Sequence, residues 1–383
     1  MSWSKIGLER LLDEAQELVT ALDRASAADP ARARACAHHL WRAVERVDRF
    51  ASLIAVQTAS ARAGRSWTVA RQRWLAGKLE ALHGRAEPLL ARWLPVDMIT
   101  PRWFATRLSV LDPLARSRCG PDGTVDVSGK LITSRSLRDA LEYRERERGT
   151  VDSPERVISN VSLREADLFM ACLSNTWMLD LDAIGATLDE ALALEARLSR
   201  VNLAGASMRE MELGAMLARD CDFSGASLVS ARWHGGTAVL CSFVQADLVD
   251  LSADGAMFLQ CDFRGADLAV GDGSPSATMT GAQFLDCDLR GSRWNGRNLK
   301  EVRFVGCKLH GVSGAPRFED VVIDRPDLSA DGKGAKGGSL IDALAIWRTP
   351  TGRQEHSVVS RPSRRAEVRS AFGTVLRFAA QRR

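Results

Sequence analysis

The sequence predicts an α+β protein of several units: an N-terminal α-helical bundle, a four-sided β-helix wound from five-residue repeats, and a basic C-terminal tail. Three observations predict it. Apolar residues recur at every fifth position, with no polar interruption, from Leu163 to Leu268. The residues around those positions repeat again at a longer period of about twenty. The N-terminal region instead spaces its apolar residues at helical intervals.

A chain of 383 residues exceeds a typical single domain of roughly 100–200 residues. The expected divisions are a helical domain at 1–115, a connector with a capping helix at 116–157, the β-helix at 158–325, and a Gly-rich linker with a basic segment at 326–383. Apolar residues make up 45% and charged residues 26% of the chain, and no apolar run approaches the length of a membrane span. A soluble protein without membrane association follows. Residues 1–25 interleave Glu9, Arg10, Asp13, Glu14 and Glu17 with Leu8, Leu11, Leu12, Ala15, Leu18, Val19 and Leu22, so they read as a helix of a cytoplasmic protein and not as a signal peptide. The eight cysteines are spread along the chain, and five sit where the repeat demands a small buried residue, which predicts reduced thiols.

Asp29-Pro30 has the form of a cap followed by a first-turn proline, and Leu40, Val44, Val47, Ala51 and Ile54 make one helical stripe after it. A further segment carries Trp67, Trp74, Leu75, Leu79, Leu82 and Trp93. Gly120-Pro121-Asp122-Gly123 signals a turn, and residues 134–148 read as a short helix stopped by Gly149, placed to cover the first coil. An open β-helix end exposes unpaired backbone, so a cap is expected there.

Within the repeat, a second series of mostly small residues lies two positions before each apolar one: Ala166, Ala171, Ala186, Cys221, Ala226, Cys241, Ala246 and Cys261, for example. Two inward positions two apart are strand-like, and the three-residue gap to the next pair must turn a corner. Segments centred on Leu203, Phe223, Phe243, Phe263, Phe284 and Phe304 recur at twenty residues, with one step of twenty-one, so four pentads make a coil and these six residues are expected to form a core ladder. The irregular step falls within 270–278, whose Gly271, Gly273 and Pro275 suit a bulge. A shift of one residue is preferred to a shift of six, because it places Trp294 in the column of Trp233.

These residues resemble the pentapeptide-repeat family, whose pattern is Ala, Asp or Asn, Leu or Phe, then two variable residues. Ala166-Asp167-Leu168, Ala246-Asp247-Leu248 and Ala266-Asp267-Leu268 match it best, and about 150 of the 383 residues keep the register. The resemblance implies a right-handed quadrilateral β-helix. Leu181, Met211, Met216, Leu251 and Arg297 depart from the small position and predict swollen or loosened coils.

Catalytic chemistry is not predicted, nor is any cofactor or metal. Gly332-Lys333-Gly334-Ala335-Lys336-Gly337 has the letters of a dinucleotide motif but no preceding strand or βαβ unit, so it reads as linker. Cys221, Cys241 and Cys261 share one column and Cys287 and Cys307 another; parallel side chains in a line cannot surround a tetrahedral metal, so core packing is their expected role. His38 and His39 are adjacent rather than three or four apart, and no nucleophile and base pair can be nominated from spacing.

Residues 161–272 hold 17 acidic against 7 basic residues, a net of −10, while 273–312 carry 6 basic and 3 acidic, a net of +3. Asp167, Asp182, Asp222, Asp247, Asp262, Asp267 and Asp288 occupy the repeat's own Asp position, where a short carboxylate can bond turn backbone. Residues 326–383 have a net of +6, from 11 basic and 5 acidic. In the tail, Val368, Phe372, Val375 and Leu376 fall on one helical face while Arg364, Arg365, Arg369 and Arg377 supply charge, which predicts docking on the rod's C-terminal end or on a second subunit as a homo-oligomer. Direct nucleic-acid binding is expected only through this tail. The expected function is a non-enzymatic adaptor or scaffold with a protein partner. The alternative, implied by resemblance to topoisomerase-protecting members of the family, is an acidic DNA mimic acting on a type II topoisomerase.

Overall fold

The computed structural model describes residues 5–25, 29–59, 69–94, 98–99, 125–132, 156–159, 161–271, 277–314, 316–329 and 357–358. Three helices, α1 (Lys5–Asp23), α2 (Pro30–Ala59) and α3 (Val69–Trp93), precede a parallel β-solenoid. Helix α2 starts where the sequence places it: the Arg32 amide donates to Asp29 Oδ1 at 3.1 Å, with Pro30 in the first turn. Leu8, Ala15, Val19 and Leu22 of α1 pack against Leu40, Trp41, Val44 and Val47 of α2 and Leu75, Leu82, Ala86 and Leu90 of α3. Inside this bundle His83 Nε2 lies 3.0 Å from Asp48 Oδ1, a buried polar pair that ties α3 to α2. Among the described residues no helix is long and apolar enough to cross a membrane.

The solenoid is a pentapeptide-repeat coil. Each inward-facing centre is followed by two outward residues, the second of them in left-handed backbone, as at Glu165, Gly205 and Gly225. Each regular corner is closed by a bond from the amide three residues on, as from Ala166 to Leu163 and from Ala226 to Phe223. Parallel bonds then join coil to coil along four faces. Taken in chain order, the first face stacks Leu163, Ala183, Leu203, Phe223, Phe243 and Phe263. The second runs from Leu168 to Leu268, the third through Leu213, Trp233 and Ala253, and the fourth through Met178, Leu198, Ala218, Ala238 and Phe258.

One sequence expectation is overturned here. Phe258 pairs with Phe284, twenty-six residues on, and Asp262 with Asp288, so the insertion is six residues and not one. The aromatic positions therefore make two ladders. Phe223, Phe243 and Phe263 stack at 4.9 and 4.7 Å on the first face, which continues as Leu289 and Leu309; Phe258, Phe284 and Phe304 stack at 5.0 and 5.2 Å on the fourth. Trp294 follows Leu268 on the second face and does not share a column with Trp233. The same correction merges the thiols: Cys221, Cys241, Cys261, Cys287 and Cys307 form one column of five. Six is five plus one, so every later pentad keeps the inward phase that an insertion of one residue would give, and only the identity of its face changes.

Arg297 is the structural counterpart of this insertion. It occupies a small inward position, fully buried, with Nε donating to the Leu268 carbonyl at 2.8 Å and Nη1 to the Leu251 carbonyl at 2.7 Å. In regular pentads a carbonyl like that of Leu268 closes the corner, but the amide three residues on, Gly271, donates instead to Asp250 Oδ1 at 2.8 Å. The carbonyl equivalent to Leu251 in neighbouring coils is served by the coil above, as Met211 is by Arg232 and Ala231 by Ser252. The guanidinium thus supplies donors where the extra residues break the pattern, and the coil is filled rather than loosened. Burial pushes its pKa down to about 10, opposed by Asp250 and Asp267.

The repeat also extends beyond 161–311. Val127 and Ile132 are inward residues five apart, their chain bonded to Ser162 and Asp167 of the coil above, and Ile158 stacks under Met178. At the other end Arg317–Asp324 pairs with both Asn298–Lys300 and Arg303–Val305, and Asp327 bridges Lys308. Both ends are edged by short strands: Met98–Ile99 lies on Leu131–Ile132, and Ser357–Val358 on the Arg317–Asp324 strand. The expected capping helix at 134–148 lies outside the described residues.

Candidate interaction surfaces

The bundle is seated on one side of the first coils. Phe169 and Met170 are outward residues of the repeat, yet they are only 5% and 3% exposed, because Trp41 and its bundle neighbours cover them. The Trp41 and Phe169 ring centroids are 6.2 Å apart, and the Arg42 guanidinium lies 4.3 Å from the Phe169 centroid while reaching Asp167 at 3.7 Å. Arg49 extends the contact to Glu190 at 3.7 Å. Desolvation raises the pKa of Asp167 and of Glu190 despite those cations. An apolar seat with an arginine margin makes bundle and rod one docked unit at this end.

The acidic residues of the rod are largely committed. Asp167, Asp182, Asp222, Asp247, Asp262, Asp267 and Asp288 each accept the amide two residues on, at 2.9–3.3 Å, as the repeat position predicts. Many also face a cation on their own or the next coil: Asp180 with Arg200, Asp182 with Arg164, Glu212 with Arg232, Asp262 with Arg264, Asp267 with Arg293, and Asp288 with Arg290 and Lys308. Exposed pairs of this kind contribute little stability, about 0–1 kcal/mol each, but they cancel charge locally.

The fourth face differs. Its outward column places Val239, Leu259, Leu285 and Val305 on successive coils, with Met257 alongside, as a separate apolar cluster. Leu240, at the edge of this cluster, is 47% exposed and is the one large apolar side chain that stands open among the described residues. Sequence reasoning missed this stripe because it tracked inward positions only; the recurrence of an apolar residue just after Ala238, Phe258, Phe284 and Phe304 was the available signal.

Among the described residues, no chemistry-bearing cluster accompanies these surfaces. Among the described residues no group of three or more His, Cys, Asp or Glu is arranged to hold a metal. All five column cysteines are buried and free, their thiols directed to neighbouring thiols and to carbonyls such as Arg219, Leu259 and Phe284. Contact with the next thiol and burial push the Cys221 pKa far up, and burial does the same to Cys287, so neither is an available thiolate. A gap in the N-terminal coils, lined by Ile158, Leu163, Leu168, Leu173, Met178 and Leu181, is wholly apolar and offers a ligand no hydrogen bond. The tail residues Arg364, Arg365, Arg369, Phe372, Leu376 and Arg377 lie outside the described residues.

No family model and no curated protein matches the chain. Among solved structures it is similar to HetL, a pentapeptide repeat protein involved in heterocyst differentiation regulation from the cyanobacterium Nostoc sp. strain PCC 7120, with 18% identity over 49% of this chain and 88% of that one and a TM-score of 0.27. It is also similar to full-length QnrB1, a plasmid-mediated fluoroquinolone resistance protein, with 12% identity over 58% of this chain and 99% of that one and a TM-score of 0.23. Likenesses at this level carry no functional argument; the repeat assignment rests on this chain's own register and pairing.

Proposed function

We propose that the protein is a non-enzymatic interaction scaffold, in which a helical bundle and a rigid rod are joined as one body to bind another protein. The observation that carries this reading is the contrast among the rod's surfaces. Acids along the rod are bonded to turn amides or paired with arginines and lysines, on the fourth face too where Asp180 meets Arg200, whereas the C-terminal half of that face carries the apolar cluster of Val239, Leu259, Leu285 and Val305. A duplex-like partner for a topoisomerase needs an open acidic array, and part of the acidic stretch here already meets Arg42 and Arg49 of the bundle. The DNA-mimic reading keeps one observation in its favour, the net charge of −10 across 161–272. A supercoiling assay separates the two. Stoichiometric full-length protein leaves type II topoisomerase activity unchanged on the scaffold reading; concentration-dependent inhibition or protection overturns it. Photo-crosslinking of the full chain in cells is then expected to recover a protein partner.

A further inference from the structure

Five of the chain's eight cysteines stand in one column of the rod. Cys221, Cys241, Cys261, Cys287 and Cys307 fill the small inward position of the first face on five successive coils. The second face fills its equivalent column with alanine alone from Ala166 to Ala266, so packing at such a position does not require sulfur. All five thiols are free and at most 2% exposed. Each hydrogen-bonds the next, which gives four sulfur-to-sulfur links. Their other polar contacts are backbone carbonyls such as those of Arg219, Ala238 and Phe258.

We infer that this column is a linear binding site for soft monovalent metal ions of the cuprous type, each held between the sulfurs of two successive coils. Two metal–thiolate bonds of about 2.3 Å laid end to end span about 4.6 Å. Stacked strands are separated by about 4.8 Å, so the gap between neighbouring sulfurs matches. A cuprous ion selects sulfur and is satisfied by two thiolates in line. Zinc needs ligands on four sides, and magnesium or calcium a cage of oxygens, neither of which the column offers. Among the described residues no group of three or more metal-binding side chains is arranged around one point, and a linear site needs only two. The charge also balances. Each link holds one proton between two sulfurs, and a monovalent ion replaces it one for one, with the metal entering and a proton leaving. The buried column therefore stays neutral without a counter-ion, and no electron is transferred. Because the sulfurs lie inside the rod, loading follows the opening of a coil and is slow.

The test uses the full chain with Cys36→Ser, Cys119→Ser and Cys172→Ser, which leaves the column as the only source of thiols. After prolonged anaerobic incubation with cuprous ion, native mass spectrometry is expected to show up to four bound ions, one for each link. X-ray absorption is expected to show two sulfurs around each at about 2.3 Å. Two further variants keep three thiols apiece and differ only in adjacency. Cys221→Ala with Cys307→Ala leaves Cys241, Cys261 and Cys287 on neighbouring coils and should retain two ions. Cys241→Ala with Cys287→Ala leaves no two neighbours and should retain none, with circular dichroism unchanged because alanine already serves the equivalent position on the second face. Absence of binding in the parent, equal binding by the two variants, or coordination by three or more sulfurs overturns the site.

Discussion

Deleting residues 271–276 and replacing Arg297 with alanine should be strongly coupled. The deletion joins Val270 directly to Ala277, which already occupies a small inward position ahead of Met279, so a twenty-residue coil is restored. In the parent, Arg297→Ala strips the two short bonds from the Leu268 and Leu251 carbonyls, at about 1–3 kcal/mol each. It also relieves a buried charge whose pKa, held down to about 10, corresponds to a penalty on the order of 3 kcal/mol. These terms nearly offset, and the void left behind, at about 24 cal/mol per Å³, makes the net loss about 2 kcal/mol. In the shortened chain the regular backbone bonds re-form and the guanidinium keeps only its burial penalty. Arg297→Ala then relieves about 3 kcal/mol of burial penalty against the same void cost of about 2 kcal/mol, so it should stabilise by about 1 kcal/mol, a coupling of about 3 kcal/mol. Urea midpoints of the four proteins, followed by far-ultraviolet circular dichroism, measure the cycle. Equal destabilisation by Arg297→Ala in both backgrounds would refute the role assigned to Arg297. Collapse of the coil on deleting the six residues would refute the six-residue register, which predicts that the shortened chain winds on without interruption.

Phe243→Ala removes a ring stacked between Phe223 and Phe263 and edged by Trp233 and Phe258, and should cost about 4 kcal/mol in the same assay; a loss below about 1 kcal/mol would contradict the ladder. The five column thiols should react with a maleimide only after denaturant is added, and a Cys221–Cys241 or Cys287–Cys307 disulfide in protein purified without oxidant would count against core packing. Asp167 and Glu190 should titrate above the ordinary carboxylate range by NMR. Because a raised folded pKa binds the proton more tightly than the unfolded chain does, their contribution to stability is present in mild acid and is lost as pH rises through the folded values; depressed values would show that ion pairing outweighs burial at the junction. Phe169→Ser should free the bundle from the rod, read as increased hydrogen exchange in α2 with the repeat coils still protected; unchanged exchange would argue against the seat.

The inward pattern of the rod was legible because every fifth residue must be apolar whatever face it serves. The same regularity hid the topology. Insertions of one and six differ by a whole pentad, so Phe284 looked like the heir of Phe263 when it pairs with Phe258. The cue lay in Ala277-Thr278-Met279-Thr280-Gly281, a complete pentad after the extra residues. Val127 and Ile132 escaped notice because more than twenty residues separate Ile132 from Ile158, breaking the run. The bundle's seat was not legible either: an outward Phe169 is compatible with solvent until α2 presents Trp41 and Arg42 to it.

The change of face between the two aromatic ladders has a mechanical consequence. A solenoid with a filled core behaves as a packed beam, and a stack of rings behind one wall resists compression of that wall more than packed methyls do behind the others. Phe223, Phe243 and Phe263 brace the first wall; Phe258, Phe284 and Phe304 brace the fourth, adjoining it. The two braces overlap at the corner, where Phe258 and Phe284 meet Phe263 edge to face at 5.3 and 5.7 Å. The beam's easiest bending direction therefore rotates by about a quarter turn partway along its length, so a load that would flex one half meets the reinforced wall of the other.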